Sequence, residues 1–418
     1  MAASIPRGGH IAVVGAGVVG AATALSLCRA GYRVALIDKG EPGMGASFGN
    51  AGYLSKSGVV PTATPGILWK VPGLLLDPLG PLTIRWRYLP RMLPWLWKFV
   101  RASDPKRCEE ISLALQALLV HGHDCYADLL GQAELDEIAP HGGLLYVYET
   151  DKGFEGSHWA NELRRRCGIE CRYVPKEQIR QIEPALAPVF KHAIHIPDMR
   201  HLKDPLRLTR AIVAKFTASG GEVALAEVTG VERRSSGALV LTTTSGRRTT
   251  DGLVIASGAW SRHLARQCGA DVPLDTERGY HVTVKNPNVA PRMPVASGER
   301  HFAANPMEIG LRFAGTDELA GLAAPPNWER AKLLQRQAQR MFDGLDASAG
   351  EFWMGFRPSM PDSLPVIGPV PGDGRVYLAF GHGHLGVTFA AVTARLIADM
   401  VTGEKPLVDP QPYRADRF

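Results

Sequence analysis

Short, unbroken apolar runs alternate along this chain with longer stretches in which apolar residues return every three or four positions. His10 to Val14 has the length and character of a buried strand. The small residues Ala21 to Cys28 follow at helical spacing and close at Gly31, and Arg33 to Ile37 reads as a second strand that delivers Asp38. The same rhythm returns at the carboxyl end. Val376 to Phe380 is a predicted strand, Gly381 to Gly386 a glycine-rich loop, and Val387 to Val401 a predicted helix with Gly403 as its stop; Val387, Ala390, Ala391, Ala394, Ile397, Ala398 and Val401 share its apolar face. Between these ends, Gly221 to Val228, Val231 to Arg233 and Leu239 to Thr243 form a run of short strands. They lead into Gly252 to Ser261, a buried strand that ends in a small-residue turn. Residues 57 to 101 break the strand–helix rhythm with prolines and tryptophans, and residues 103 to 139 look helical. Residues 276 to 354 carry alternating runs such as Tyr280 to Val284, suited to strands over a pocket. No internal repeat is detected.

The first loop, Gly15-Ala16-Gly17-Val18-Val19-Gly20, lies between a predicted strand and a predicted helix, the one context in which G-x-G-x-x-G has a mechanism. Gly15 makes the tight turn, Gly17 lets a pyrophosphate approach bare backbone at a positive helix end, and Gly20 lets the helix lie close on the strand. Asp38, 18 positions after Gly20, is placed to accept hydrogen bonds from an adenosine ribose. A dinucleotide site is expected. The far-off second glycine loop at Gly381 to Gly386 calls for a ligand longer than NAD contacts need, because it can cradle a further polar group such as a flavin edge or ribityl chain.

Composition narrows the classes. With 418 residues and 45% hydrophobic content the chain is expected to bury two cores. A formal charge of +6 without a Lys/Arg block suits an anionic ligand or membrane surface and argues against nucleic acid. The six cysteines (Cys28, Cys108, Cys125, Cys167, Cys171, Cys268) show neither a C-x-x-C pair nor metal spacing, so reduced thiols, no metal and a cytoplasmic location are expected. The first apolar segment is expected to be a strand rather than a signal peptide, and no window approaches 18 uninterrupted apolar residues.

Seven motifs in order resemble the D-amino acid oxidase superfamily of FAD enzymes, and within it the bacterial D-amino acid dehydrogenase branch. They are Gly15 to Gly20 with Asp38; Ala46 to Gly52; Ala256 to Ser261; Glu277-Arg278-Gly279-Tyr280; Gly310 to Thr316; Gly355 to Gly368; and Gly381 to Gly386. The resemblance implies an α/β protein: a discontinuous Rossmann-like FAD-binding domain with an inserted α+β substrate domain of antiparallel sheet and helices. The expected division assigns 1–60, 195–275 and 355–418 to the FAD-binding domain, and 61–194 and 276–354 to the substrate domain. Non-covalent FAD is implied, held by Gly15, Ala16, Gly17, Val18, Val19, Gly20, Asp38, Lys39, Ser47, Asn50, Ala51, Gly52, Val228, Ser257, Gly258, Trp260, Gly381, Gly383, His384, Leu385, Gly386 and Val387.

The implied reaction takes hydride from the α-carbon of a D-amino acid to flavin N5. That chemistry needs a fixed carboxylate and a neutral amine. Arg357 matches the family position whose guanidinium clamps the carboxylate by two parallel hydrogen bonds. Tyr280 is the candidate second donor to that carboxylate. His384 departs from the small or hydroxylated residue that relatives often carry, and faces either substrate or flavin; His382 is expected to serve the loop itself. A cyclic secondary amino acid such as D-proline, an oxygen-using glycine or sarcosine oxidase, and a flavin subunit of a larger complex stay open. So does the electron acceptor, a quinone or a carrier protein. The segment from Trp69 to Trp97, with Arg85 to Lys98 as its basic and aromatic core, reads either as an amphipathic helix on the inner face of an anionic membrane or as a helix packed on the substrate domain.

Overall fold

A computed structural model describes residues 4–67, 80, 82–234 and 237–418. Its first layer is a six-stranded sheet in the order Val366–Val370, Asp373–Phe380, Gly252–Ile255, His10–Val14, Arg33–Asp38, Glu222–Leu225, parallel throughout except for the antiparallel hairpin of the first two. Parallel strands covered on both faces must be apolar along their length. His10–Val14 and Gly252–Ile255 are, with every residue but His10 buried. The helices Val18–Arg29, Pro205–Ala218 and Gly386–Thr402 cover one face as a packed layer. The strand Glu222–Leu225, expected within a run of short strands, is instead the sheet's edge. The antiparallel trio Val228–Arg233, Leu239–Thr243 and Gly246–Thr250 stands beside it.

The join between the first strand and its helix is tight. Gly15 has φ 107°, and a Cβ there would lie within 2.7 Å of the backbone of the Ala256-Ser257 turn, while a Cβ on Gly20 would run into the Gly15 carbonyl. Both positions therefore exclude a side chain. The predicted carboxyl-terminal helix is present over Gly386–Thr402 and ends at Gly403. Gly383–Thr402 is long and apolar enough to cross a membrane by composition, yet 78% of that window is buried, which marks it as a core element.

The second sheet has nine strands. Eight follow the order Glu351–Ser359, Asp275–Val284, Gly310–Leu319, Phe302–Met307, Val295–Ser297, Leu144–Tyr148, His192–Ile196, Arg172–Pro175, and Leu82–Ile84 pairs with Gly310–Leu319. This topology moves two of the expected boundaries. A division at 355 would cut through Glu351–Ser359, which is paired along its length to Asp275–Val284, so Arg357 projects from the second sheet. A division at 195 likewise falls inside His192–Ile196. The helical stretch expected at 103–139 is Pro105–Leu130, capped by Asp104, followed by Gln132–Ile138; it packs on the Gly386–Thr402 helix rather than on the second sheet.

In the basic aromatic segment, Leu89–Ala102 is a helix that buries Met92, Trp95 and Phe99, with the Trp95 and Phe99 rings stacked at 5.1 Å. Trp69 lies outside the described residues. All six cysteines are unpaired, and no cluster of His, Cys, Asp or Glu suited to a metal occurs among the described residues.

Candidate active site

A cavity of about 680 Å³ runs from the first glycine loop, past the ends of the parallel strands, to the face of the second sheet. Its nucleotide end is built by the strand–helix joint. Gly17 caps the Val18–Arg29 helix without a side chain, no acidic residue occupies the first turn, and the Val18 N–H is held by Ser47 Oγ at 2.9 Å. The positive end of this helix has no acidic side chain to neutralise it and faces the cavity, which fits a pyrophosphate. Asp38 is fixed by the Ala16 N–H at 2.6 Å and the Gly40 N–H at 3.0 Å, leaving carboxylate lone pairs for ribose hydroxyls. Lys39 lies over the Trp260 ring at 4.8 Å, and both line the wall with Val228, Ser257 and Gly258.

Of the expected cofactor residues, Gly15, Gly17, Val18, Val19, Asp38, Lys39, Ser47, Asn50, Ala51, Val228, Ser257, Gly258, Trp260, Gly383, His384, Gly386 and Val387 line this cavity. The structure places five others behind the wall. Ala16 holds Asp38 and accepts the Gly43 N–H through its carbonyl, and Gly20 seats the helix. Gly52 turns the chain with its carbonyl on the Leu202 N–H, Gly381 packs against Met360, and the Leu385 side chain packs toward Gly58. His382 is buried, with Nε2 2.9 Å from Thr393 Oγ1, and serves the loop.

The far end is the second sheet. On Asp275–Val284 and Glu351–Ser359, the residues Glu277, Gly279, His281 and, opposite them, Arg357, Gly355, Trp353 share one face. His281 and Trp353 stack at 4.8 Å, and Phe48 meets the Trp353 ring edge-on at 6.2 Å. Arg357 lies across Gly279, where any Cβ would displace the guanidinium. The guanidinium also pairs with Asp317 and donates to the Thr316 carbonyl at 3.4 Å. His384 reaches the same place from the carboxyl-terminal loop. It is an exposed residue that lines the cavity, and desolvation, followed by the Arg357 charge, holds its pKa below the ordinary histidine value; Asp317 opposes this.

Tyr280 corrects an expectation. One position along the pleat from Gly279, its side chain turns to the opposite face, where its hydroxyl donates to buried Glu318 at 2.6 Å and accepts from the Asn327 N–H at 2.9 Å. Desolvation, then Glu318, pushes its pKa up to about 12. Arg278 shares that face, donating to the carbonyls of Gly321, Ala324 and Pro325. In this arrangement both residues brace the sheet and the Tyr280 hydroxyl is bonded away from Arg357, although Tyr280 is among the residues that line the cavity.

Sequence reading missed several residues. Arg312, almost fully buried, donates at 2.8 Å to both the Phe48 and Asn50 carbonyls and so fixes the 46–52 loop; burial lowers its pKa to about 10. Trp353, His281, Asp317 and Glu277 complete the face around Arg357. Glu277 accepts from Ser359 Oγ at 2.7 Å, and desolvation together with nearby Asp317 raises its pKa. Arg312 sits in a motif already noted, so strand alternation gave a signal for it; nothing in the local sequence marks Asp317.

Residues 10–400 match the family described as FAD dependent oxidoreductase. The chain belongs to that family. It is 38% identical over 99% of its length to a D-amino-acid oxidase of Bradyrhizobium diazoefficiens, all of which is covered. It is 32% identical to a D-amino acid dehydrogenase of Paramagnetospirillum magneticum, with 98% of each chain covered. Among solved structures, glycine oxidase from Geobacillus kaustophilus superposes with a TM-score of 0.74 at 23% identity, covering 98% of this chain and 99% of that one. L-proline dehydrogenase from P. horikoshii gives 0.72 at 18%, covering 99% and 98%. These two likenesses carry the fold. The protein is an FAD-dependent oxidoreductase, and the helix end free of acidic residues, the fixed Asp38 and the bare Gly17 backbone fit that cofactor.

Proposed function

We propose that this oxidoreductase oxidises D-amino acids to imino acids with non-covalent FAD, passing the electrons to an acceptor other than oxygen. One observation carries the reading: an arginine on a sheet face of the cavity, with the His384 imidazole of the carboxyl-terminal loop lining the same cavity. Bound FAD supplies the hydride acceptor. The chain's own residues do the rest. Arg357 offers the planar fork that grips a carboxylate, and the bare Gly279 gives that fork its resting place. The His384 imidazole, neutral near pH 7, is placed to accept a proton from the substrate ammonium, as hydride departure requires an uncharged amine. Trp353 walls the pocket, backed by the stacked His281 ring, and helps to exclude water. The names of the curated relatives support an amino acid as substrate.

The acceptor reading rests on the surface. Trp86, Leu93 and Trp97 are 61%, 57% and 65% exposed, next to exposed Arg87, Arg91 and Arg101. Apolar and basic groups mixed this way suit an anionic lipid surface, where a quinone is within reach. Arg85, paired with Glu318, and Tyr88, bonded to Asp275, are committed inward and take no part. The deciding experiment mixes the holoenzyme with D- and L-amino acids without oxygen. Bleaching of the flavin by D-amino acids, with reoxidation by quinone faster than by air, is expected. Bleaching by L-amino acids alone overturns the stereochemistry, and rapid reoxidation by air overturns the acceptor.

A further inference from the structure

Arg357, which lines the cavity, is paired with Asp317 through an irregularity in the sheet. Between Asp275–Val284 and Gly310–Leu319 the register shifts: Tyr280 faces Gly315, whereas Gly279 faces Asp317, and Thr316 is the extra residue. Thr316 adopts φ 62°, a left-handed conformation that a β-branched side chain resists, and its Oγ1 is buried without a hydrogen-bond partner among the described residues. A bulge of this kind bends the strand and re-aims the next side chain. Here the next side chain is Asp317, and it is aimed at the Arg357 guanidinium.

An arginine needed only to grip a carboxylate gains nothing from a built-in rival. The pair leaves Asp317 with a side chain 36% exposed and Arg357 with 23%, so neither is sealed in as a structural brace usually is. A cation and an anion side by side are instead the complement of a zwitterion, whose carboxylate and ammonium are separated by one carbon. Resting on the amino acid reading above, we propose that Asp317 is the acidic half of the substrate clamp. It occupies Arg357 in the free enzyme, yields that fork to the incoming carboxylate, and takes the substrate ammonium. The pair would then reject molecules that carry a carboxylate alone, because such a ligand displaces Asp317 and leaves it unpartnered.

The test compares two probes of equal shape on FAD-loaded enzyme, D-phenylalanine and 3-phenylpropanoate, the first followed by anaerobic flavin reduction and the second by perturbation of the flavin spectrum. In Asp317→Asn, half-saturation by D-phenylalanine should rise tenfold or more while the dissociation constant for 3-phenylpropanoate stays level or falls. Asp317→Glu should restore part of the amino acid affinity. Equal weakening of both probes would reduce Asp317 to a brace for Arg357, and no change in either would remove it from the site; both outcomes overturn the proposal. Should the Asn variant fail to retain FAD, the wild-type enzyme decides. N-acetyl-D-phenylalanine, which has no ammonium, must bind no better than 3-phenylpropanoate, and tighter binding overturns the assignment. Wild-type flavin that no amino acid reduces would sink the amino acid reading itself, whereas reduction without the split sinks only the role of Asp317.

Discussion

Arg357 and Tyr280 lie within a few ångströms of the same strand pair and do different work, and their variants should separate cleanly. Arg357→Lys keeps the charge and loses the planar fork, so kcat/KM should fall by roughly tenfold to a hundredfold, about 1.4 to 3 kcal/mol of transition-state binding, at unchanged FAD content. A change within twofold would remove Arg357 from the carboxylate. Tyr280→Phe should show the reverse. Glu318 is almost fully buried and loses its shortest hydroxyl donor, so urea unfolding should reveal a loss of about 1 to 3 kcal/mol while the steady-state constants hold. Arg357 was legible because it stands in an ordered motif. Tyr280 was misplaced because a motif names residues without saying which face of the pleat each takes. Asp317 was invisible for the opposite reason: the face it takes depends on the bulge at Thr316, and no pattern of alternation signals an extra residue.

At the scale of elements, helices with one strong apolar face were read closely. The Gly386–Thr402 helix and its Gly403 stop fall within a residue of expectation. The basic aromatic helix was read two ways because its sequence supports both. Its tryptophans divide: Trp95 is 5% exposed with its indole N–H 3.4 Å from the Ser359 carbonyl, and Trp97 is turned to solvent. A membrane test should therefore spare Trp95. Leu93→Ala with Trp97→Ala should release the holoenzyme from anionic vesicles at physiological salt, leaving turnover with a soluble dye intact, as each basic residue near the surface contributes only about 1 kcal/mol and needs the apolar face beside it. Wild-type enzyme that ignores such vesicles even at low salt would end the lipid reading. Strand limits were less legible than helices. Arg357 was assigned to the nucleotide layer because glycine and proline around it suggest a loop, but pairing with Asp275–Val284 holds the segment extended.

For the whole molecule, burial of histidine sets the response to acid. His201, His281 and His382 are all less than a tenth exposed, and desolvation lowers their pKa values to about 4, 3 and 3. Between those values and 6.5 the unfolded chain binds protons that the folded chain refuses. Stability is thus complete above pH 6.5 and is lost as pH falls, by up to about 1.4 kcal/mol per histidine per pH unit. Glu277, Glu183 and Asp275 work in the other direction, since burial raises their pKa values and so favours folding as pH drops, while His123, also lowered to about 4, adds to the histidine side. Urea midpoints followed by tryptophan fluorescence should fall steeply from pH 6.5 to 5, and a flat profile over that range would contradict the burial of these rings. The two-sheet plan was legible because the apolar runs return at both ends of the chain. That separation also dictates timing. The six-stranded sheet takes strands from 10–38, 222–255 and 366–380, and the cavity closes with Gly383 to Val387. During synthesis, then, the first glycine loop emerges about 370 residues before the Gly383 to Val387 loop that completes the cavity, so the growing polypeptide carries half a nucleotide cradle until that second loop has been made.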